Sequence, residues 1–79
     1  MDMNATQCRM ARAALGWSIA DLAKASGVRD MTVSNFERGR DAYASTVAKL
    51  RTALEDAGVI FLADGESSLS GGAGVRLKP

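Results

Sequence analysis

Residues 18–39 read Ser18-Ile19-Ala20-Asp21-Leu22-Ala23-Lys24-Ala25-Ser26-Gly27-Val28-Arg29-Asp30-Met31-Thr32-Val33-Ser34-Asn35-Phe36-Glu37-Arg38-Gly39. Ser18 followed by Asp21 is the N-cap and N3 pattern in which a hydroxyl accepts an amide of the first helical turn and a carboxylate returns to the cap's own N–H. Leu22 and Ala23 supply inward positions, and Gly27 tolerates the positive φ that follows a last turn, so the spacing predicts a short helix over 19–26. Val28 and Val33 bracket a start near Arg29 as a hydrophobic staple, and Phe36 continues the Val33 face. Gly39 closes this next helix, predicted over 30–38. Small Ala23 and the tight turn at Gly27 let the two short helices approach closely.

Working outward, Asn4 and Gln7 form a second capping pattern, and Cys8, Ala11 and Leu15 recur on one face before Gly16, which predicts a helix over 5–15. On the other side Ser45 is the expected cap of a helix carrying Val47, Leu50, Leu54 and Ala57 and stopped by Gly58. Val59-Ile60-Phe61-Leu62-Ala63 is a β-prone run, and Val75-Arg76-Leu77-Lys78 alternates after a Gly/Ser-rich stretch. These predict a C-terminal β-hairpin with a long, mobile loop. Its first strand is apolar on both faces, Val59 and Phe61 one way and Ile60 and Leu62 the other. One face can cover the helices, and the second needs another cover. A homodimer is expected, its chains joined through Val59, Ile60, Phe61, Leu62, Val75 and Leu77. The expected organisation is a helical domain over 1–58 and a dimerisation element over 59–79.

The 79 residues suit one small core and exclude a multidomain enzyme. With 47% hydrophobic and 24% charged residues, the composition is that of a folding globular chain. No apolar run approaches the roughly 18 residues of a membrane span, and the start, with Asp2 and Asn4, does not read as an export signal. The expected location is cytoplasmic. One cysteine and no histidine exclude an intramolecular disulfide, a zinc finger and any mechanism built on a histidine base. Glu55 and Asp56 are adjacent on a helix and diverge, so no catalytic carboxylate pair is expected. Gly71-Gly72-Ala73-Gly74 lacks the preceding strand and following helix of a phosphate loop. Neither catalysis, a cofactor nor a metal is expected. The net charge of +1 decides nothing about nucleic acid, but residues 29–51 hold five cations (Arg29, Arg38, Arg40, Lys49, Arg51) against three anions (Asp30, Glu37, Asp41), a mild local excess.

Helix, glycine turn and helix over 18–39 have the length of a helix-turn-helix. In Leu15-Gly16-Trp17-Ser18, Leu22-Ala23, Gly27-Val28, Thr32-Val33-Ser34 and Phe36-Glu37-Arg38-Gly39, the sequence resembles the phage-repressor and Cro type of helix-turn-helix regulators, over about residues 4–58. The resemblance implies a mainly α, four- to five-helix, lambda-repressor-like domain ahead of the hairpin, with the third helix in the DNA major groove. By position it implies base contacts from Arg29, Asp30, Met31, Thr32 and Asn35. Asn35 is equipped to pair with adenine, Met31 and the Thr32 methyl to touch thymine, and Asp30 to accept from cytosine. Ser18, Ser34, Arg38, Arg40 and Tyr43 would hold phosphates, as would the amides at the start of the second helix, at Ile19, and of the fourth. Ile19 and Arg29 depart from the family pattern, which favours a glutamine and a Ser/Thr cap there. Arg12 and Glu37 occupy positions where members often form a partly buried ion pair.

Other residues read as scaffold. Trp17, Leu22, Phe36, Leu50 and Leu54 are bulky apolar side chains at core spacing, and Cys8 reads as a small buried hydrophobe. Arg29, Arg38 and Arg40 read either as a solvated face or as a DNA contact. The function expected is a sequence-specific transcriptional regulator, a repressor or autoregulator that binds a two-half-site operator of double-stranded DNA as a homodimer. The alternative is a protein-interaction module such as an antitoxin or anti-activator.

Overall fold

Asn4 opens the first helix as its sequence predicts: its Oδ1 accepts the Gln7 amide at 2.8 Å while Gln7 Oε1 accepts the Asn4 amide at 3.0 Å. In the computed structural model, which describes residues 3–63 and 72–79, that helix is α1 (Ala5–Leu15). It is followed by α2 (Ile19–Ser26), α3 (Asp30–Glu37), α4 (Ala44–Asp56) and an antiparallel hairpin of β1 (Val59–Leu62) and β2 (Gly74–Leu77). Four helices are therefore present among the described residues. Residues 64–71, where the mobile loop was expected, and Gly71 with them, lie outside the description.

Local chemistry sets each boundary. Ser18 and Asp21 exchange the predicted reciprocal bonds, at 2.9 and 3.0 Å. Gly16 and Gly27 end α1 and α2 at φ 69° and 75°, a region where a side chain strains the backbone. The boundaries of α3 and α4 differ from expectation. α3 stops at Glu37, one residue early, because Arg38 and Gly39 tighten the last turn, donating to Asn35 O and Phe36 O at 3.2 and 3.0 Å. α4 begins at Ala44 rather than after a Ser45 cap. The Tyr43 carbonyl already accepts the Val47 amide at 3.1 Å, which places Ser45 inside the first turn.

The helices close over one core in which Leu22, Leu50, Leu54 and Val33 are fully buried and Phe36 nearly so. Truncating any of these leucines to alanine carries a cost of about 2–5 kcal/mol. Trp17 is half-buried and packs against the same cluster, as do Ile19 and Val28. The hairpin register, Val59 opposite Leu77 and Phe61 opposite Val75, puts these four on one face. Val59 and Phe61 are buried in the same core and Val75 packs against it. They are committed to the core of their own chain. Ile60 and Leu62 lie on the outer face, half-buried, and Leu77 is 43% exposed. Arg51 of α4 covers the Phe61 ring at 5.1 Å and bonds Glu55.

The hairpin is also fastened at its loop end. Gln7 is 1% exposed, and its Nε2 donates to the carbonyls of both Leu62 and Gly74 at 3.1 Å. One side chain thus completes the α1 cap and holds both strands. Gln7→Ala strips three backbone groups of a partner and should lower stability by about 1–3 kcal/mol in urea unfolding. Amide exchange should rise first at α1's first turn and at the Leu62–Gly74 pair.

Candidate nucleic-acid interface

Eight residues, Asp30–Glu37, are too few for a helix that persists alone, so α3 depends on what holds its inner face. Val33 and Phe36 enter the core, and Glu37 is buried at 4% exposure. The Glu37 carboxylate receives Arg12 Nε at 2.8 Å, Arg12 Nη2 at 2.7 Å and the Cys8 thiol at 3.2 Å. The remaining Arg12 nitrogen, Nη1, donates to Trp17 O at 3.0 Å. One guanidinium therefore ties α1, the turn into α2 and the end of α3. Arg9 adds a bond to the Glu37 carbonyl, one of the open groups at the C-terminus of α3.

Titration follows from this geometry. Burial alone would raise the Glu37 pKa, but hydrogen bonds from Arg12 and Cys8, with the charges of Arg12 and Arg9, outweigh it and hold the carboxyl below its usual range. The bond to Glu37 raises Arg12. Burial, then the neighbouring carboxylate, pushes the Cys8 thiol well up, so it stays protonated and acts as a donor. The expected Arg12–Glu37 pair is present at 2.7 Å. Cys8 is buried as expected, but it is a hydrogen-bond donor as well as a hydrophobe.

The opposite side of α3 faces outward. Arg29, Asp30 and Met31 are exposed, Met31 at 67%, while Thr32, Ser34 and Asn35 are half-buried. Beyond the helix end Arg38, Arg40 and Tyr43 are exposed, Tyr43 at 83%. Thr32, Asn35 and Tyr43 meet in a groove of about 570 Å³ between α3 and the start of α4. Neither Arg29 nor Tyr43 bonds its helix through a side chain, so amides at the starts of α3 and α4 remain open, with the partial positive charge of a helix N-terminus. The Ser18 hydroxyl accepts from Asp21 and keeps only its proton to donate outward. The Ile19 side chain packs on the core, which leaves its amide to act.

A family model for helix-turn-helix proteins matches residues 9–55, more than half of the chain. The chain belongs to the helix-turn-helix family of the lambda repressor and Cro, XRE-like type. It is a DNA-binding transcription regulator. No curated protein sequence matches it. Among the described residues of this regulator, no helix is long and apolar enough to cross a membrane.

Sequence reasoning missed three participants. Thr46 lines the groove with Asn35, and its place three residues after exposed Tyr43, on the first turn of α4, was the available signal. Arg9 and the Cys8 thiol act across space on Glu37 and left no local signal.

The ion pair makes two testable claims. Arg12→Ala leaves a buried carboxylate with one weak side-chain donor and should cost about 3 kcal/mol in denaturant unfolding. Because folding lowers the Glu37 pKa, its contribution is complete above the pKa of an unfolded glutamate, about 4.3, and is lost as pH falls through the lower folded value. The stability gap between wild type and Glu37→Gln should therefore be widest near neutral pH and narrow below about pH 4.

Proposed function

We propose that this regulator recognises a specific operator by laying α3 in the major groove, and that it acts as a homodimer on two half-sites. The observation that carries the reading is the division of α3 into two faces. Val33, Phe36 and Glu37 are locked inward, while Arg29, Asp30 and Met31 project with Thr32 and Asn35 beside them. Exposed Arg38, Arg40 and Tyr43, the open amides at Ile19 and at the start of α4, and the Ser18 and Ser34 hydroxyls are placed to hold phosphates on either side. Exposed Met31 has the polar residues Arg29, Asp30 and Thr32 as its chain neighbours, and among the described residues the other exposed large hydrophobics are Tyr43 and Leu77. That supports DNA over a protein partner as the occupant of this face.

The hairpin supplies the dimer in this reading. Ile60 and Leu62 lie on the face turned from the core, with Arg76 and Gly74 opposite them in register. A second copy's hairpin is the matching surface under a twofold axis. A dimer of this kind occupies a promoter and represses, autoregulation included, in the cytoplasm where its DNA resides.

Selection of bound duplexes from a random pool should enrich an inverted repeat with half-sites about one helical turn apart. Affinity should fall steeply between two salt concentrations, and the base preference should persist at both. Binding without base preference that disappears with salt would refute an operator. Light scattering at tens of micromolar should give twice the chain mass for wild type and the single mass for Ile60→Lys, with DNA affinity reduced in the variant. A monomer mass for wild type would remove the hairpin from this role.

A further inference from the structure

Asn35 carries a polar atom that the fold leaves unpaired. Its Oδ1 is buried, and no donor reaches it among the described residues. Its backbone carbonyl, by contrast, accepts from both Arg38 and Arg40, at 3.2 and 3.1 Å, so the main chain at this position is fixed. The side chain lines the groove with Thr32, Tyr43 and Thr46. It follows Thr32 by three residues and Met31 by four, which places all three on one stripe of α3. Arg51 Nη1 is also buried without a hydrogen-bond partner, but the Arg51 guanidinium lies over the Phe61 ring, which compensates its charge. Asn35 has no such compensation, and native proteins pair nearly all buried polar atoms.

We infer that Asn35 has two states: retracted in the groove in the free protein, and swung outward on DNA so that its oxygen accepts from the amino group of a base. This rests on the proposal that α3 enters the major groove. The partner must be a donor. Phosphates only accept, and the donors in the major groove are adenine N6 and cytosine N4. The amide's NH2 then finds an acceptor at N7 of adenine, which cytosine lacks, so adenine is the base selected. The two-point contact is made by rearrangement and is not available from the retracted side chain, whose oxygen is covered. Retraction leaves an acceptor unsatisfied in the free protein and removes that penalty on binding, so Asn35 serves specificity at the expense of the free fold.

The test compares wild type with Asn35→Ala in two assays. One is thermal unfolding without DNA. The other is binding to the sequence wild type selects, with adenine kept or replaced by unsubstituted purine, which lacks the amino group, or by cytosine, at each adenine in turn. Asn35→Ala should unfold at or above the wild-type midpoint. Wild type should bind the adenine duplex about tenfold more tightly than the purine duplex at one position, and the variant should bind both equally there. A midpoint clearly below wild type would overturn the inference by making Asn35 a structural residue. Retained discrimination in the variant would overturn it by assigning the adenine to another side chain. Preference for cytosine at the Asn35-dependent position would overturn the choice of adenine. Absence of any base preference in wild type is visible before a mutation is made and would instead overturn the operator reading beneath it.

Discussion

The Arg12 guanidinium organises this molecule. All three of its nitrogens donate, two to the Glu37 carboxylate and one to the carbonyl of Trp17, so it fixes the relation of α1 to the turn before α2 and to the end of α3 at once. The interaction does not rank first for strength, because taking a carboxylate out of water cancels much of what the pairing returns. Its contribution is directional. A planar fork accepts one arrangement of its partners where apolar contacts accept many. Removing either charge leaves the other stranded, so the three elements stand or fall together.

Much of the fold was readable because its determinants are local. Asn4 with Gln7, Ser18 with Asp21, and the glycines at 16 and 27 act within a turn of their own positions, and a linear reading captures such chemistry. The start of α4 escaped because Tyr43 caps nothing with its side chain, and only the main-chain bond from Val47 shows where the helix begins. The Arg12–Glu37 pair was visible through likeness to a family and not through spacing, since 25 residues separate the partners. The Cys8 donation, the Arg9 bond and the unpaired Asn35 oxygen were out of reach for the same reason: each exists only after three helices have been packed. At the interface, residue types were readable and their states were not. Asn35 was recognisable as a polar residue of α3, while its half-buried place beside Tyr43 and Thr46 depends on α4.

The economy of α3 explains how an eight-residue helix is held in place and still keeps a free outer face. Its inner residues are so fully engaged that its outer residues need contribute nothing to stability. Exposed Arg29, Asp30 and Met31 can therefore vary in identity with little effect on the fold. Thr32 and Asn35, which face the groove toward α4, are less free. The outer side of α3 divides into positions free to vary and positions coupled to the scaffold.

Gln7 reaches across 55 residues to Leu62 and 67 to Gly74. On a ribosome, residues emerge in order, so the first helix is made long before the strands its cap residue must grip. The helices that bear α3 are made before the hairpin that Gln7 grips. Gln7 then waits with a polar amide facing what will become covered ground, and the last strand to leave is the one that seals it. Closure of the hairpin on Gln7 is thereby a report that synthesis has run past residue 74.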